Sequence, residues 1–168
     1  MLDSNALDHI CEQMLDRRIR KAVDGKHIQL SITHVQTDEI NRALPETREC
    51  ICKLISDGYI KIIPTNGAIA GTDEPSRKGF IASRLNMAYL TSEKEANLLQ
   101  NKMKINMKSP MKNSADILIL YTAIKQRIDY LVTDDKDLKK ILDSFKQDII
   151  TGLQVIDSKA FDRMLPLV

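Results

Sequence analysis

Several residue types are scarce in this sequence of 168 residues, and each scarcity argues against a class of protein. Tryptophan is absent and aromatic residues make up 4% of the chain, so base stacking is a weak part of any nucleic-acid binding. No apolar run is long enough to span a membrane, and the start of the chain lacks the basic and then apolar pattern of a signal peptide. We therefore expect a soluble protein of the cytoplasm.

Cysteine is also scarce. The chain has three cysteines, and this odd number disfavours a disulfide framework. Cys50 and Cys52 are one residue apart, but no histidine pair accompanies them at zinc-finger spacing. We therefore expect buried, reduced thiols rather than a zinc site.

A strong charge of either sign is missing as well. The 25 Lys and Arg residues nearly balance the 23 Asp and Glu residues, and the net charge of +2 argues neither for nor against nucleic acid. The length and the hydrophobic content of 43% suit one compact domain. We expect a single domain over residues 1–168, with a loop-rich segment at 64–90 where Pro and Gly recur.

The chain alternates between apolar runs of strand length and segments of helical periodicity. Predicted strands lie at 28–33, 59–63, 130–133 and 153–156, and residues 1–3 resemble the end of a further, short strand. Predicted helices lie at 4–22, from Val35 towards Pro45, from Pro45 to Gly58, at 80–90, from Ser92 to about 107, before and after the strand at 130–133, and in the tail from Ser158. This alternation favours an α/β fold with a parallel sheet.

The stretch 113–138 organises the chain. Ile117, Tyr121 and Ile124 recur at helical spacing, and Asp116 lies in the opening turn of that helix. The strand that follows ends abruptly in Asp134 and Asp135. Carboxylates at that position face the crevice beyond the carboxyl end of the strand, where open α/β sheets place their ligands.

Four acids occupy equivalent places in this pattern. Asp3 lies at the end of the short first strand, Glu39 and Asp135 lie just after two other strands, and Asp116 lies at a helix start. Because the carboxyl ends of parallel strands lie on the same side of a sheet, these acids are predicted to meet in one cleft. Carboxylates brought together repel one another unless a cation intervenes, and hard oxygen ligands suit Mg²⁺ or Mn²⁺. Such an ion polarises a phosphate and activates water.

Each acid also has an ordinary structural explanation. Asp134 or Asp135 can cap the next helix, and Asp116 suits the dipole of its first turn. Glu39 can be a solvated helix residue, and Asp3 a turn residue. The coincidence of all four is what favours a metal site.

At these residues the sequence resembles the PIN-domain ribonucleases. The segments LDSN (2–5), THVQTDEI (33–40), SADILILYTA (114–123) and LVTDDKDL (131–138) are similar, in order, to the four acidic motifs of that family. The resemblance implies a three-layer α/β/α sandwich around a central, mainly parallel sheet. It also implies Mg²⁺ or Mn²⁺ in an acidic pocket and endonucleolytic cleavage of single-stranded RNA. Many small members are VapC-like toxins of toxin–antitoxin pairs, which dimerise and are blocked by an antitoxin protein, but the long segment 64–90 departs from their compact pattern.

The resemblance assigns roles to particular residues. Asp3, Glu39, Asp116 and Asp135 are the predicted catalytic acids and metal ligands, and Asp134 adds at most an outer contact to the metal. Asn5, Ser114 and Thr133 are predicted to orient carboxylates or water, although helix capping explains Ser114 equally well.

RNA must be held by positive charge around such an acidic pocket. The candidates are Arg84, Lys104, Lys108 and Lys112, with solvated helix surface as the alternative. The main rival to a nuclease is a PIN-like protein that binds RNA or a protein partner without cutting. A receiver or phosphatase fold is disfavoured, because Asp3 is followed by Ser4 and Asn5 rather than by a second aspartate at D-x-D spacing, and no Gly-rich phosphate loop is present.

Overall fold

A computed structural model describes residues 1–66, 88–89, 92–105 and 114–167. The chain divides into two compact units, each of mixed helix and strand. Unit A comprises Met1–Ile63, Asp129–Asp135 and Gln154–Val168, and unit B comprises Pro64–Ile128 and Lys136–Leu153. Within the described ranges, every helix is too short or too polar to cross a membrane.

The helices and strands follow the predicted alternation. The helices are α1 (Ser4–Glu12), α2 (Asp16–Asp24), α3 (His34–Ile40), α4 (Pro45–Ser56), α5 (Glu93–Ile105), α6 (Ser114–Lys125), α7 (Lys136–Phe145) and α8 (Ser158–Met164). The strands are β1 (Leu30–Thr33), β2 (Ile60–Ile63), β3 (Thr65–Asn66), β4 (Ala88–Tyr89), β5 (Tyr130–Val132) and β6 (Gln154–Ile156).

The strands form parallel pairs. In unit A, β1 pairs with β2 in the register Leu30 to Ile60, and β5 pairs with β6 in the register Tyr130 to Gln154. In unit B, β3 pairs with β4. Parallel pairing agrees with the sequence prediction, whereas a single central sheet inside a three-layer sandwich remains a prediction.

The first residues of the chain connect the two strand pairs of unit A. Leu2 forms a parallel bridge to Val132 of β5, and its backbone N–H donates to the carbonyl oxygen of Ser31 in β1 at 2.9 Å. The N–H of Asp3 donates to the carbonyl of Val132 at 3.0 Å. These bonds bring the start of the chain next to residues about 30 and 130 positions away, and they fix the backbone of Asp3.

The predicted helix over 4–22 is wrong in one respect, because the chain forms two helices there. Met14 takes a left-handed conformation with φ of 52°, and the N–H of Leu15 donates back to the carbonyl of Ile10 at 2.9 Å, which closes α1. The break turns Leu15 into the core, where it is 4% exposed, and leaves Met14 82% exposed. Met14 therefore faces solvent, although the helical spacing of Leu7, Ile10, Met14 and Ile19 predicts an inward side chain.

The expectation of three reduced thiols is also corrected. Cys11 of α1 and Cys50 of α4 form a disulfide; their Cα atoms are 6.1 Å apart and the two residues are 39 positions apart in sequence. Cys52 is a free, exposed cysteine. The odd cysteine count concealed a pair, since a count cannot tell which helices pack side by side.

In unit B, α6 is buried on all sides rather than on one face. Ile117, Leu118, Ile119 and Leu120 are each at most 1% exposed, so four consecutive residues point into packed surroundings. A helix that is apolar all round is a buried helix. Ala88 and Tyr89 form strand β4 where a helix over 80–90 was predicted; the rest of that predicted helix lies outside the described residues.

Candidate acidic site

Three of the four predicted acids belong to unit A and lie near the carboxyl ends of its strands. Asp3 follows the bridge at Leu2, Asp135 follows β5, and Glu39 lies in α3, which begins directly after β1. Asp3 is 7% exposed, Glu39 is half-buried and Asp135 is exposed. Folding therefore assembles in one unit acids that are up to 132 residues apart.

Thr133 is the hub of this arrangement. Its hydroxyl donates to Asp3 Oδ2 at 2.7 Å and accepts from the backbone N–H of Asp135 at 3.0 Å. The Asn5 side-chain amide donates to Thr133 Oγ1 at 3.3 Å, and Asn5 Oδ1 accepts from the N–H of Asp134 at 3.0 Å. Thr133 and Asn5, which the resemblance implies as orienting residues, thus connect Asp3 to the Asp134–Asp135 turn.

Glu39 is held by a different set of contacts. The hydroxyl of Ser4 donates to Glu39 Oε2. The helix that carries Glu39 begins with a capping box, in which Val35 N–H donates to Thr33 Oγ1 at 3.2 Å and Thr33 N–H donates to Gln36 Oε1 at 2.7 Å. The Gln36 amide also donates to the carbonyl of Leu2 at 3.0 Å, so one side chain ties the start of α3 to the segment that carries Asp3.

The acids influence one another electrostatically. Burial raises the pKa of Asp3, and the nearby Asp135 carboxylate adds to that rise, while the hydrogen bond from Thr133 opposes it. Burial also raises the pKa of Glu39, and the nearby Asp3 carboxylate adds to that rise. The hydrogen bond from Ser4 and the positive charge of Arg42 oppose it. Asp3 is therefore coupled to both Glu39 and Asp135, as expected for carboxylates in a partly dry cleft.

Asp134 makes different contacts. Its Oδ1 accepts from the N–H of Ser158 at 3.0 Å and its Oδ2 accepts from the Ser158 hydroxyl at 2.7 Å. Both hydrogen bonds from Ser158 lower the pKa of Asp134, and the bond from the Ser158 backbone N–H has the larger effect. Because both oxygens bind Ser158, Asp134 ties the end of β5 to the start of α8 instead of facing Asp3.

The remaining predicted residues lie in unit B or outside the described part of the chain. Asp116 is half-buried in the first turn of α6, in unit B, and its meeting with the other three acids stays a prediction. Ser114 is the first residue of α6, but its side chain lies outside the described residues, as does that of Lys104 in α5. Arg84, Lys108 and Lys112 lie outside them altogether.

The donor chemistry suits a hard divalent cation, because Asp3, Glu39 and Asp135 supply only carboxylate oxygens. The raised pKa values of Asp3 and Glu39 mark two carboxylates that a nearby positive charge would stabilise in the ionised form. However, no three His, Cys, Asp or Glu side chains among the described residues are arranged to hold a metal ion together. The electrostatic coupling is pairwise, since Asp3 interacts separately with Glu39 and with Asp135. Joint binding of one ion by all three acids therefore requires their side chains to rotate.

Sequence reasoning missed Ser4, Gln36 and Ser158, which hold the acids and their turns in place. A signal for Gln36 was present, since T-x-x-Q from Thr33 to Gln36 is the spacing of a capping box. Ser4 and Ser158 act on acids 35 and 24 residues away, and no local pattern marks such partners.

Comparisons with protein-family models, with curated proteins and with solved structures found no match to this chain.

Proposed function

We propose that the protein is a metal-dependent endoribonuclease of the PIN type, which cleaves single-stranded RNA. The observation that carries the proposal is the coupling of Asp3 to Glu39 and Asp135 around the Thr133 hydroxyl. Packing three acids from distant parts of a chain near one another is costly, and in a cleft beyond parallel strands a cation-dependent reaction explains it. The proposed fold is a single parallel sheet in the order β2, β1, residues 1–3, β5, β6, which the hydrogen bonds of Leu2 support.

In this proposal Asp3, Glu39 and Asp135 hold Mg²⁺ or Mn²⁺ through their carboxylate oxygens, and Asp116 is the fourth acid. The ion, when bound, supplies positive charge for the scissile phosphate and lowers the pKa of water. Thr133 restrains Asp3 by donating to its Oδ2. Ser4 restrains Glu39 in the same way. Asp134 is a positioning residue, because its oxygens hold Ser158.

The test is incubation of a mixed single-stranded RNA pool with the protein and Mn²⁺, or with chelator. We expect cleavage that needs the metal, and a loss of rate of roughly 100-fold or more in Asp3→Asn and Asp116→Asn, the size typical of losing one group that stabilises transition-state charge. Glu39→Gln is paired with Glu46→Gln, which changes an exposed acid in the first turn of α4 and should leave the rate unchanged. Undiminished cleavage by folded Asp3→Asn and Asp116→Asn would refute the mechanism.

A second candidate is a PIN-like protein that binds RNA or a partner protein, such as an antitoxin or a second copy of the chain, without cutting. The observation that favours it is the lack of a three-ligand metal group among the described residues. The same assay separates the two, because this candidate predicts RNA retention in a filter-binding measurement with no metal-dependent products.

A further inference from the structure

Unit A contains a cleft at the amino ends of β1 and β2. It has a volume of ≈ 370 Å³ and lies between the end of α2, the segment leading into β1 and the start of β2. Glu39 lies in α3, which follows the carboxyl end of β1, so the cleft is at the other end of the strands from the acids. Its lining contains none of the acids of the proposed nuclease site, so ligand binding here is independent of RNA cleavage.

The wall of the cleft is apolar and its polar groups are cationic or neutral. The lining residues are Val23, Lys26, Ile28, Gln29, Leu30, Gly58, Tyr59 and Lys61. Among the residues that the structure describes, no carboxylate belongs to this lining. Two ammonium groups beside an apolar wall attract an anion that also carries an apolar or aromatic body.

The nearby acids already have partners. Asp57 pairs with Arg20 at 2.8 Å, and the guanidinium of Arg20 lies 4.5 Å from the centroid of the Tyr59 ring. The Tyr59 hydroxyl donates to Asp24 at 3.5 Å. Arg20 therefore offsets the charge of Asp57 and covers the ring at the same time.

Three polar side chains of the lining have no hydrogen-bond or ion-pair partner among the described residues. Lys26, Gln29 and Lys61 are exposed, and within residues 1–66, 88–89, 92–105 and 114–167 their side chains form neither a hydrogen bond nor an ion pair. Two lysines and one amide are thus available to a ligand. Lysine binds phosphate well as a point charge, and an amide can both donate to and accept from the edge of a base.

We propose that this cleft binds a nucleoside monophosphate. Lys26 and Lys61 bind the phosphate, Gln29 contacts the base edge, and the base packs on the apolar wall that includes Ile28 and Tyr59. The volume lies within the range of about 300 to 1,000 Å³ typical of small-ligand sites, near its lower end, which suits a single nucleotide.

The conformation of Lys26 provides a variant that removes the charge and keeps the fold. Lys26 has φ of 57°, a left-handed conformation that glycine adopts without strain. Its N–H donates to the carbonyl of Val23 at 2.9 Å as α2 ends. Lys26→Gly preserves that backbone turn, and Lys61→Gln keeps a long polar side chain in β2. Lys53→Ala, at an exposed position on α4, is the matched control.

The experiment is a titration of the full chain with adenosine monophosphate, followed by amide chemical shifts in NMR. We expect shifts concentrated at residues 23–30 and 58–61, at least about tenfold weaker binding in the Lys26→Gly, Lys61→Gln double variant, and unchanged binding in Lys53→Ala. Shifts elsewhere only, equal binding by the double variant, or equal affinity for inorganic phosphate and the nucleotide would each overturn the proposal. RNA cleavage is not a readout here, so its loss or retention leaves this result unaffected.

Discussion

Two opposing effects act on the ionisation of the Asp3 carboxyl group. It is nearly buried beside two other acids, yet the Thr133 hydroxyl favours its ionised form. Burial dominates, and the pKa of Asp3 rises, as does that of Glu39. Between the ordinary carboxyl pKa and the raised value, the folded chain binds more protons than the unfolded chain. Stability contributed by these two groups is therefore present at low pH and is lost as pH rises through that window.

Asp3→Asn should weaken this pH dependence. We expect the free energy of unfolding of the variant to fall less between about pH 4 and about pH 8 than that of the wild type, because the charge that becomes unfavourable is gone. Urea unfolding at the two pH values measures it, with the exposed Glu46→Gln as control. The same slope in wild type and Asp3→Asn would show that Asp3 is not destabilised when ionised.

The candidate site shows which residues a sequence can nominate. Acids at the ends of strands and helices are found by position, and Asp3, Glu39 and Asp135 do lie near one another in unit A. The residues that hold these acids in place are brought to them by tertiary packing. The sequence alone therefore did not identify Ser4 and Ser158. Asp134 was nominated for its place beside Asp135, as an outer contact to the metal. In the structure its carboxylate binds Ser158.

At the scale of elements, local signals predicted helix ends well. Pro45 begins α4, and Gly58 follows it with φ of 82°. Ser92 and Glu95 have the S-x-x-E spacing of a capping box, and they form one: Ser92 N–H donates to Glu95 Oε2 at 2.9 Å and Glu95 N–H donates to Ser92 Oγ at 3.4 Å. Such motifs depend only on neighbours within one turn. The break after α1 has no glycine or proline to mark it. The apolar periodicity continues across it and therefore predicted one helix instead of two.

That break makes a prediction about Met14. A non-glycine residue at φ of 52° is strained, and this side chain is 82% exposed, so it contributes little packing. Met14→Gly should raise the free energy of unfolding by about 0.5 to 1 kcal/mol, the relief of strain being partly offset by a more flexible unfolded chain. Thermal unfolding measures it. Met14→Ala keeps the strain and should be neutral; an equal gain in Met14→Ala would point to another cause.

The disulfide between α1 and α4 makes a second prediction at this scale. Cross-linking Cys11 and Cys50 closes a loop of 39 residues, which restricts the unfolded chain. Reduction should lower the free energy of unfolding by about 4 kcal/mol. Chemical unfolding with and without reductant measures it; Cys52→Ser should respond like the wild type, and Cys11→Ser should not respond. Three free thiols in unreduced, unfolded protein would contradict the pairing.

At the scale of the whole molecule, the chain passes between its two units repeatedly, since unit A is built from three segments and unit B from two. No local signal predicts this division, because it depends on which distant segments share a core. Unit A gathers the start of the chain, the end of the chain and residues 129–135. Its integrity therefore depends on contacts that close very long loops.

Arg18 provides the clearest contact of this kind. It binds the Asp162 carboxylate, and it donates to the carbonyl oxygens of Asp162 at 2.7 Å, Leu165 at 2.8 Å and Pro166 at 3.0 Å. Its side chain is 19% exposed, so removal of the guanidinium leaves several partly buried acceptors without a donor. Arg18 thus stabilises the fold by holding α8 and the residues that follow it.

Arg18→Met should therefore loosen α8 and the residues that follow it. We expect a loss of about 2 kcal/mol in the free energy of unfolding, a value that allows for partial solvent screening, and faster amide hydrogen exchange at 158–167. Arg17→Met changes the exposed neighbour and is the control. Within unit B, exchange around Lys102, which donates to the carbonyl of Ser144 at 2.6 Å, measures whether the effect is confined to unit A. Equal exchange in Arg17→Met and Arg18→Met would show that α8 is held by its apolar contacts, chiefly Phe161 and Leu165, which are 5% and 4% exposed.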